Sequence, residues 1–274
     1  MHDGKCVRPE GTCPEKNIDR YVRWSGQGGV TVKIIAVTQK GTGKTENEDR
    51  VVVGKSVLAG GTLSGEIESG VLAIADGVGG NNAGSAASHF IAGKVCNLTD
   101  ITVEALGEIN EELLALSMKD AGYDGMAATL SGVMIADGKA CLFSIGNTRV
   151  YFLQGGKYLK QMTTDDTTLN YLLETGQLSA EEAENFDRKN EITACFGGGR
   201  ADLFKLKLSK LEVVVSPVLI TSDGIHDFLS VDQMEDIIGE YGLTVTACEE
   251  MISRARLQGS RDDASVIISQ GPQR

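Results

Sequence analysis

Four widely separated aspartates of this chain stand where an apolar run meets a small residue: Asp49, Asp76, Asp223 and Asp262. Buried strands that stop at a carboxylate put negative charge at the edge of a sheet. A cation is the natural partner there, because an unpaired buried charge is costly. Several such carboxylates make an all-oxygen site suited to a hard divalent ion, either Mg²⁺ or Mn²⁺. The four residues therefore predict metal-dependent hydrolysis.

The composition describes a chain with a substantial aliphatic core. Hydrophobic residues make up 41% of the 274 positions and aromatic residues only 5%, enough for one large domain or two small ones. A net charge of −12 argues against nucleic acid and anionic membranes as partners. The sequence has no apolar core for a signal peptide and no run of about 18 apolar residues. Its six cysteines include no C-x-x-C pair, so we expect a cytoplasmic protein with inert, reduced thiols.

Hydrophobic periodicity predicts strands joined by hairpins, with the helices in separate pairs. The predicted helices are 82–96 with 103–118, 167–175 with 179–186, and 231–241 with 244–257. Strands are predicted at 30–38, 50–58, 71–75, 130–136, 139–145, 150–154, 157–162, 203–208, 212–221 and 264–269. This order favours a layered α+β domain over a strict βαβ repeat. Residues 1–29 are polar and aperiodic, which predicts an N-terminal extension.

A strand leading into Gly43-Lys44-Thr45 suggests a nucleotide-binding loop, but the match fails. The phosphate-cradling motif G-x-x-x-x-G-K-[ST] would place its first glycine at Thr38. The acidic residues that follow are also unsuited to the helix whose N-terminus holds the phosphate. A nucleotide-binding switch is therefore a distant alternative, separable by testing whether ATP or GTP binds.

Seven segments, taken in order, resemble the metal-dependent protein phosphatases of type 2C in their bacterial form. Each segment alone is weak, since Asp-Gly is a common turn, but their order and spacing together are specific. The resemblance covers roughly residues 30–270. The segments are E-N-E-D (46–49), A-D-G-V-G-G-N-N-A-G (75–84), G-M-A-A-T-L (125–130), S-I-G-N-T-R-V-Y (144–151), T-T-D-D-T (163–167), T-S-D-G-I-H-D (221–227) and R-D-D-A-S-V-I-I (261–268).

The resemblance implies an α-β-β-α sandwich of four layers, with two antiparallel sheets flanked by helix pairs. The phosphatase-like catalytic domain would span residues 30–271, and residues 165–199 would form the mobile flap beside its active site. An ordinary exposed helical hairpin is the alternative reading of that flap.

The resemblance also implies a role for each acidic residue. Asp76 would be the carboxylate shared by two Mn²⁺ or Mg²⁺ ions, and the backbone carbonyl of Gly77 would bind the first ion. Asp223 and Asp262 would bind the second. Glu48 and Asp49 match acidic positions that hold the ions directly or through water. Asp76 and Asp223 precede glycine, so turn residues are the plain alternative. Asp262-Asp263 could be a solvated turn, but the pair falls where the resembled family carries Asp-Asn, so Asp262 is the expected ligand and Asp263 its neighbour.

Two departures from the family pattern matter for substrate and metal binding. Lys44 stands where the family has the arginine that grips the substrate phosphate, and lysine is a point charge without the bidentate fork. Asn147 replaces an aspartate that helps to hold a third, weaker ion. A neutral amide offers one carbonyl oxygen and no charge, so the third ion should bind weakly or not at all.

The sequence therefore predicts a cytoplasmic enzyme that hydrolyses phosphoserine and phosphothreonine in proteins with a metal-activated water. Phosphorylated proteins and a serine/threonine kinase counterpart are the expected partners, and we expect a monomer. The alternative is a catalytically weak or silent module of the same fold that binds phosphoproteins. Lys44 and Asn147 favour that alternative, and the intact Asp76, Asp223 and Asp262 argue against it.

Overall fold

The structure is a computed structural model, and it describes residues 31–79, 83–136, 139–183, 185–211 and 217–270. The predicted extension at residues 1–29 lies outside the described residues, as do the ends of the predicted 30–271 domain. The same holds for residues 137–138, between the predicted strands 130–136 and 139–145, and for residues 212–216 of the predicted strand 212–221. Within the described ranges, no helix is long and apolar enough to cross a membrane.

Two antiparallel sheets form the centre of the described structure. The first is six-stranded, in the order β10-β9-β13-β14-β1-β4. Its members are β1 (Val32–Gln39), β4 (Gly61–Ile67), β9 (Arg149–Gln154), β10 (Tyr158–Gln161), β13 (Val218–Thr221) and β14 (Ala264–Ser269).

The second sheet has eight strands, six of them in the order β11-β6-β5-β7-β8-β12, while β2 pairs with both β5 and β3. Its members are β2 (Asp49–Val53), β3 (Ser56–Leu58), β5 (Gly70–Val78), β6 (Ala127–Ala128), β7 (Leu130–Ala136), β8 (Lys139–Ile145), β11 (Phe196–Gly197) and β12 (Lys207–Leu211).

Helices cover the outer face of each sheet. Helices α1 (Ala83–Val95) and α2 (Val103–Ser117) pack on the eight-stranded sheet in one buried cluster. Helices α5 (Asp223–His226), α6 (Val231–Tyr241) and α7 (Val245–Leu257) pack on the six-stranded sheet in another. The short helices α3 (Thr168–Glu174) and α4 (Ala180–Ala183) bury no residue completely.

The central strands of both sheets are apolar on both faces, because one face packs against the other sheet and the other against helices. This explains the unbroken hydrophobic runs in their sequences. In β1, Ile34 and Ala36 face the other sheet, while Ile35 and Val37 face the helices. Leu72 and Ile74 complete the middle layer from β5. The expected four-layer α-β-β-α sandwich of the α+β class is therefore confirmed.

Side chains of capping residues mark the starts of α2, α4, α6 and α7. Thr102 and Thr244 accept N-terminal backbone hydrogen bonds of α2 and α7. Ser230 and Gln233 form a capping box at α6. Ser179 and Glu182 exchange the equivalent bonds before α4, as their spacing predicts.

Two of the strand predictions needed correction, and one longer strand, β4, was not predicted. The predicted strand 50–58 is two strands, because Gly54 turns the chain with a φ of 57°. The predicted strand 203–208 is wrong at its start: Ala201–Leu203 is a 3₁₀ turn, and the strand begins at Lys207. The sequence did not predict β4, an edge strand whose residues are largely exposed.

We predict that Gly132→Ala will lower the thermal midpoint by about 3 to 10 °C, since overpacking a core costs roughly 1–3 kcal/mol. A Cβ at Gly132 in β7 would lie 2.2 Å from the Leu72 carbonyl oxygen and 2.6 Å from the Ala73 Cβ. Gly65→Ala in β4 is the matched control, because its Cβ would meet nothing within 4 Å. Equal midpoints for the two variants in thermal unfolding would contradict this close approach of β5 and β7.

Candidate active site

Asp49 and Asp76 are brought together by strand register. Asp49 opens β2 and is paired directly with Asp76 of β5. Asp49 is only 1% exposed, and its Oδ2 accepts a hydrogen bond of 2.6 Å from the hydroxyl of Ser265 in β14. This bond joins the two sheets. The other oxygen of Asp49, Oδ1, is buried with no hydrogen-bond partner among the described residues.

Asp223 comes from the other sheet, at the point where β13 ends and α5 begins. Its Oδ2 accepts a 3.1 Å hydrogen bond from the Nδ2 of Asn147. Asp76 also lies within hydrogen-bonding reach of it. Asn147 is 3% exposed, and its Oδ1 finds no hydrogen-bond partner within the described ranges. The strand ends of both sheets therefore meet at these carboxylates.

Lys44 lies among three further carboxylates, those of Glu48, Asp262 and Asp263. We call the region where these groups and the carboxylates of Asp49, Asp76 and Asp223 lie the rim. Its Nζ is 3.0 Å from Glu48 Oε2 and 3.0 Å from Asp263 Oδ2, and it also contacts Asp262 Oδ1. Asp262 is half exposed, with 49% of its side chain accessible, whereas Asp263 is 2% exposed. The loop between β1 and β2 thus meets the segment before β14 through one ammonium group.

The backbone at Gly77 packs too closely for any side chain. A Cβ there would lie 2.3 Å from the carbonyl oxygen of Gly84 in α1. A Cβ on Gly84 would in turn lie 2.9 Å from the Gly77 oxygen and 3.1 Å from Glu48 Oε1. The Gly77 carbonyl and the Glu48 carboxylate therefore both lie close to Gly84, and the contact between residues 77 and 84 requires glycine at both positions.

Burial and mutual repulsion weaken the acidity of these aspartates. Burial raises the pKa of Asp49 to about 7, and the charges of Asp263 and Asp223 add to this rise. Burial, with the charges of Asp223 and Asp49, raises the pKa of Asp76 well above its usual value. Burial and the charge of Asp262 also raise the pKa of Asp223. The cluster holds more negative charge than its described surroundings neutralise.

The ammonium group of Lys44 is strongly held at this rim. Burial alone lowers the pKa of Lys44, but its hydrogen bonds to Asp262, Asp263 and Glu48 outweigh that effect and raise the pKa above its usual value. Lys44 therefore stays charged and donates its hydrogen bonds to these three carboxylates, and its charge offsets only part of the rise in the pKa of Asp76.

The donor set fits hard divalent ions that keep part of their water. The unpaired Asp49 Oδ1, the Glu48 carboxylate and the Gly77 carbonyl close to Gly84 are oxygen donors of the kind that such ions bind. Among the described residues, no group of three or more acidic, histidine or cysteine side chains is arranged so that together they could hold a metal ion. Mg²⁺ is commonly held by one or two carboxylates with water completing the shell. Water and the Gly77 carbonyl would therefore complete the coordination here.

The structure thus places all the residues that the sequence singled out at one rim: Lys44, Glu48, Asp49, Asp76, Gly77, Asp223 and Asp262. From the sequence, Asp262 is the expected metal ligand and Asp263 is only its neighbour. In the structure its carboxylate accepts hydrogen bonds from the backbone nitrogens of Gly41, at 2.7 Å, and Glu48, at 2.8 Å. The available signal was an acidic residue where the resembled family has asparagine.

The start of the predicted flap, residues 165–199, is tied to the loop that carries Asn147. The Asp166 backbone nitrogen donates to the Gly146 carbonyl at 2.8 Å, and Gly146 donates back to Asp166 Oδ2 at 3.0 Å. The Arg149 guanidinium meets both oxygens of Asp165, with Nε 2.9 Å from Oδ2.

Further along the predicted flap, a cleft of about 380 Å³ is lined by Phe186, Asp187, Lys189, Asn190 and Asp227.

Comparison with known proteins matches residues 61–259 to the family described as Protein phosphatase 2C. The serine/threonine phosphatase stp of Listeria monocytogenes is 26% identical over 247 residues, covering 84% of this chain and 92% of that protein. The protein phosphatase PhpP of Streptococcus pneumoniae is 28% identical over 254 residues, covering 86% and 96%.

Solved structures share the fold. The serine/threonine phosphatase PstP/Ppp of Mycobacterium tuberculosis has a TM-score of 0.75 at 24% identity, covering 88% of this chain and 100% of that one. A catalytic domain of PstP in complex with two manganese ions has a TM-score of 0.66 at 23% identity, covering 89% and 100%. At these identities the structural likeness establishes the architecture, and the family match covers more than half of the sequence. This chain belongs to the protein phosphatase 2C family.

Proposed function

We propose that this protein phosphatase hydrolyses phosphoserine and phosphothreonine in proteins, with two Mn²⁺ or Mg²⁺ ions at the rim described above. The observation that carries the proposal is the meeting of buried carboxylates from both sheets: Asp49 opposite Asp76, with Asp223 within hydrogen-bonding reach of Asp76. Burying this much like charge is costly unless cations accompany it.

The reaction needs both a strong nucleophile and positive charge. Hydrolysis of phosphate monoesters is among the slowest reactions in water. The bound ions would supply a water of lowered pKa and positive charge facing the phosphoryl oxygens. The proposal requires no covalent nucleophile from the chain.

The chain's own residues would hold and orient this arrangement. Asp76 would be shared by the two ions, with the Gly77 carbonyl on the first and Asp223 and Asp262 on the second. Glu48 and Asp49 would act directly or through water. The strands fix Asp49 and Asp76 by register, so their carboxylates need little reorganisation when ions bind.

Lys44 would hold the phosphate through its charge. Its ammonium already lies at the rim, 3.0 Å from Glu48. When Asp262 and Glu48 serve as metal ligands, Lys44 keeps fewer carboxylate partners, and its N–H groups can face a phosphoryl oxygen. A lysine offers no bidentate fork, so its hold on phosphate would be looser than that of arginine.

The substrates would be phosphorylated proteins, and a serine/threonine kinase would be the opposing enzyme. The Listeria relative is named a serine/threonine phosphatase, and the Streptococcus relative a protein phosphatase, which supports this substrate class. The flap at residues 165–199, anchored through Asp165 and Asp166, would contact the substrate protein. A cytoplasmic location and a monomeric state remain predictions from the sequence.

The first test is the metal dependence of hydrolysis and its loss in Asp76→Asn. We expect hydrolysis of p-nitrophenyl phosphate and of phosphopeptides to require Mn²⁺ or Mg²⁺ and to stop in excess chelator. Asp76→Asn should lower kcat by at least ~10³-fold, because one shared carboxylate positions both ions. Its thermal midpoint in chelator should equal or exceed that of the wild type, since Asp76 repels Asp223 and Asp49.

Asp236→Asn, an exposed position on α6, removes the same charge away from the rim and should behave like the wild type. A folded Asp76→Asn protein that lost less than about tenfold in kcat would show that Asp76 is a turn residue. A folded wild-type chain that bound phosphopeptides without hydrolysing them, with Mn²⁺ present, would support the silent binding module instead.

The second test concerns the number of ions, through Asn147→Asp. The amide of Asn147 donates to Asp223 at 3.1 Å, so a carboxylate there would lose the donor and face Asp223 as a like charge. In chelator, the thermal midpoint should fall by about 2 to 4 °C, corresponding to ~1 kcal/mol. Calorimetry should detect one additional, millimolar Mn²⁺ site, while the two tighter sites keep their affinity.

Asn97→Asp, an exposed position after α1, is the control for adding a negative charge elsewhere. If a third ion assists turnover, only Asn147→Asp should gain activity at millimolar Mn²⁺. The same ion count and the same rate curve in Asn147→Asp and wild type would show that position 147 does not govern a third ion.

A further inference from the structure

The loop between β1 and β2, residues 40–48, carries Lys44 and Glu48 to the rim, and its shape depends on Asp263. One oxygen of Asp263 accepts the backbone N–H of Gly41 at 2.7 Å. The other accepts the backbone N–H of Glu48 at 2.8 Å and the ammonium of Lys44 at 3.0 Å. A single carboxylate therefore fastens the loop at its start, its middle and its end.

Asp263 is also packed from the opposite side. A Cβ at Gly224, the residue after Asp223, would lie 2.0 Å from the Asp263 carbonyl oxygen. A Cβ at Gly41 would lie 2.4 Å from the Arg261 carbonyl oxygen and 2.9 Å from the Asp263 nitrogen. The backbone of residue 263 is thus fixed between the 40–48 loop and α5, and its side chain has little freedom to move.

We propose that Asp263 is a positioning residue, which sets Glu48 for the metal ions and Lys44 for the phosphate. This inference rests on the proposed function. Asp263 is 2% exposed and its oxygens are already used within the chain, so it would act through Glu48 and Lys44 rather than by binding an ion. Partners of this kind commonly contribute roughly 10- to 100-fold to metal affinity.

Two residues that differ from those implied by the resemblance are in contact here, and their opposite charges pair. Lys44 replaces an arginine, Asp263 stands where the family carries asparagine, and the two side chains are 3.0 Å apart. An asparagine at 263 has only one acceptor oxygen. Its NH₂ would face either the Gly41 N–H or the Lys44 ammonium and the Glu48 N–H, donor against donor. The loop of this chain therefore requires the carboxylate.

The test is Asp263→Asn, alone and combined with Lys44→Ala. Calorimetry of Mn²⁺ binding should show at least a ~10-fold loss of affinity in Asp263→Asn, because the amide leaves a donor of the 40–48 loop without an acceptor in either orientation and so displaces Glu48. With Mn²⁺ saturating, the KM for p-nitrophenyl phosphate should rise at least ~5-fold, because Lys44 loses its charged partner at position 263. In the Lys44→Ala background the same substitution should change KM less than about twofold and still weaken Mn²⁺ binding.

Asp236→Asn on α6 controls for the loss of one negative charge, and thermal unfolding in chelator checks that each variant is folded. Asp263→Glu gives a second route if Asp263→Asn does not fold. It keeps the charge beside Lys44, but the added methylene misplaces the acceptor oxygens, so Mn²⁺ should again bind at least ~5-fold more weakly.

Unchanged Mn²⁺ affinity in whichever of these variants folds would overturn the inference, as would a KM effect of the same size with and without Lys44. A wild-type chain that binds Mn²⁺ but hydrolyses nothing would refute the proposed function alone, since the affinity comparison does not depend on turnover. A wild-type chain that binds no Mn²⁺ would overturn both.

Discussion

The concentration of like charge at the junction of two sheets is the constraint on which the rest of this structure depends. Asp49, Asp76 and Asp223 are drawn from different strand ends and enclosed together, and burial raises the pKa of each. Lys44 is held by other carboxylates at the rim, so its positive charge neutralises only part of the negative charge of these three aspartates. A site in this condition is more stable with cations than without them, which links metal binding to folding.

Such a cluster requires a rigid scaffold, because the carboxylates repel one another. The central strands supply this rigidity, because they are apolar on both faces and pack against the other sheet on one side and helices on the other. Glycines then allow backbone to approach backbone where the carboxylates must converge. At Gly77 and Gly224 a Cβ would lie within 2.3 Å of a neighbouring carbonyl oxygen. Each of these glycines directly follows an aspartate of the cluster, so a methyl group there would displace the carboxylate beside it.

The sequence predicted the parts of the molecule that local patterns determine. Strand β14 and helices α6 and α7 follow from apolar periodicity, and the aspartates at the strand ends follow from the change to small residues. Strand β4 escaped prediction because an edge strand with exposed residues has no apolar pattern to reveal it. The role of Asp263 escaped because it depends on Gly41 and Glu48, more than 200 residues away, and no local signal encodes that contact. The sequence alone also could not separate a metal ligand from a turn residue, since both favour aspartate before glycine.

The departures from the family pattern redistribute charge around the site rather than simply removing it. Asn147 takes one negative charge away from the side of Asp223, where the family aspartate would stand. Asp263 adds one on the side of Lys44, where the family has asparagine. Relative to the residues that the resemblance implies, negative charge is therefore lower beside Asp223 and higher at Asp263, next to the loop that carries Lys44 and Glu48. Restoring an aspartate at position 147 alone would add a negative charge to a site that also carries Asp263. The effects of substitutions at such close groups are not additive. The activity of this phosphatase is therefore expected to depend on positions 44, 147 and 263 together.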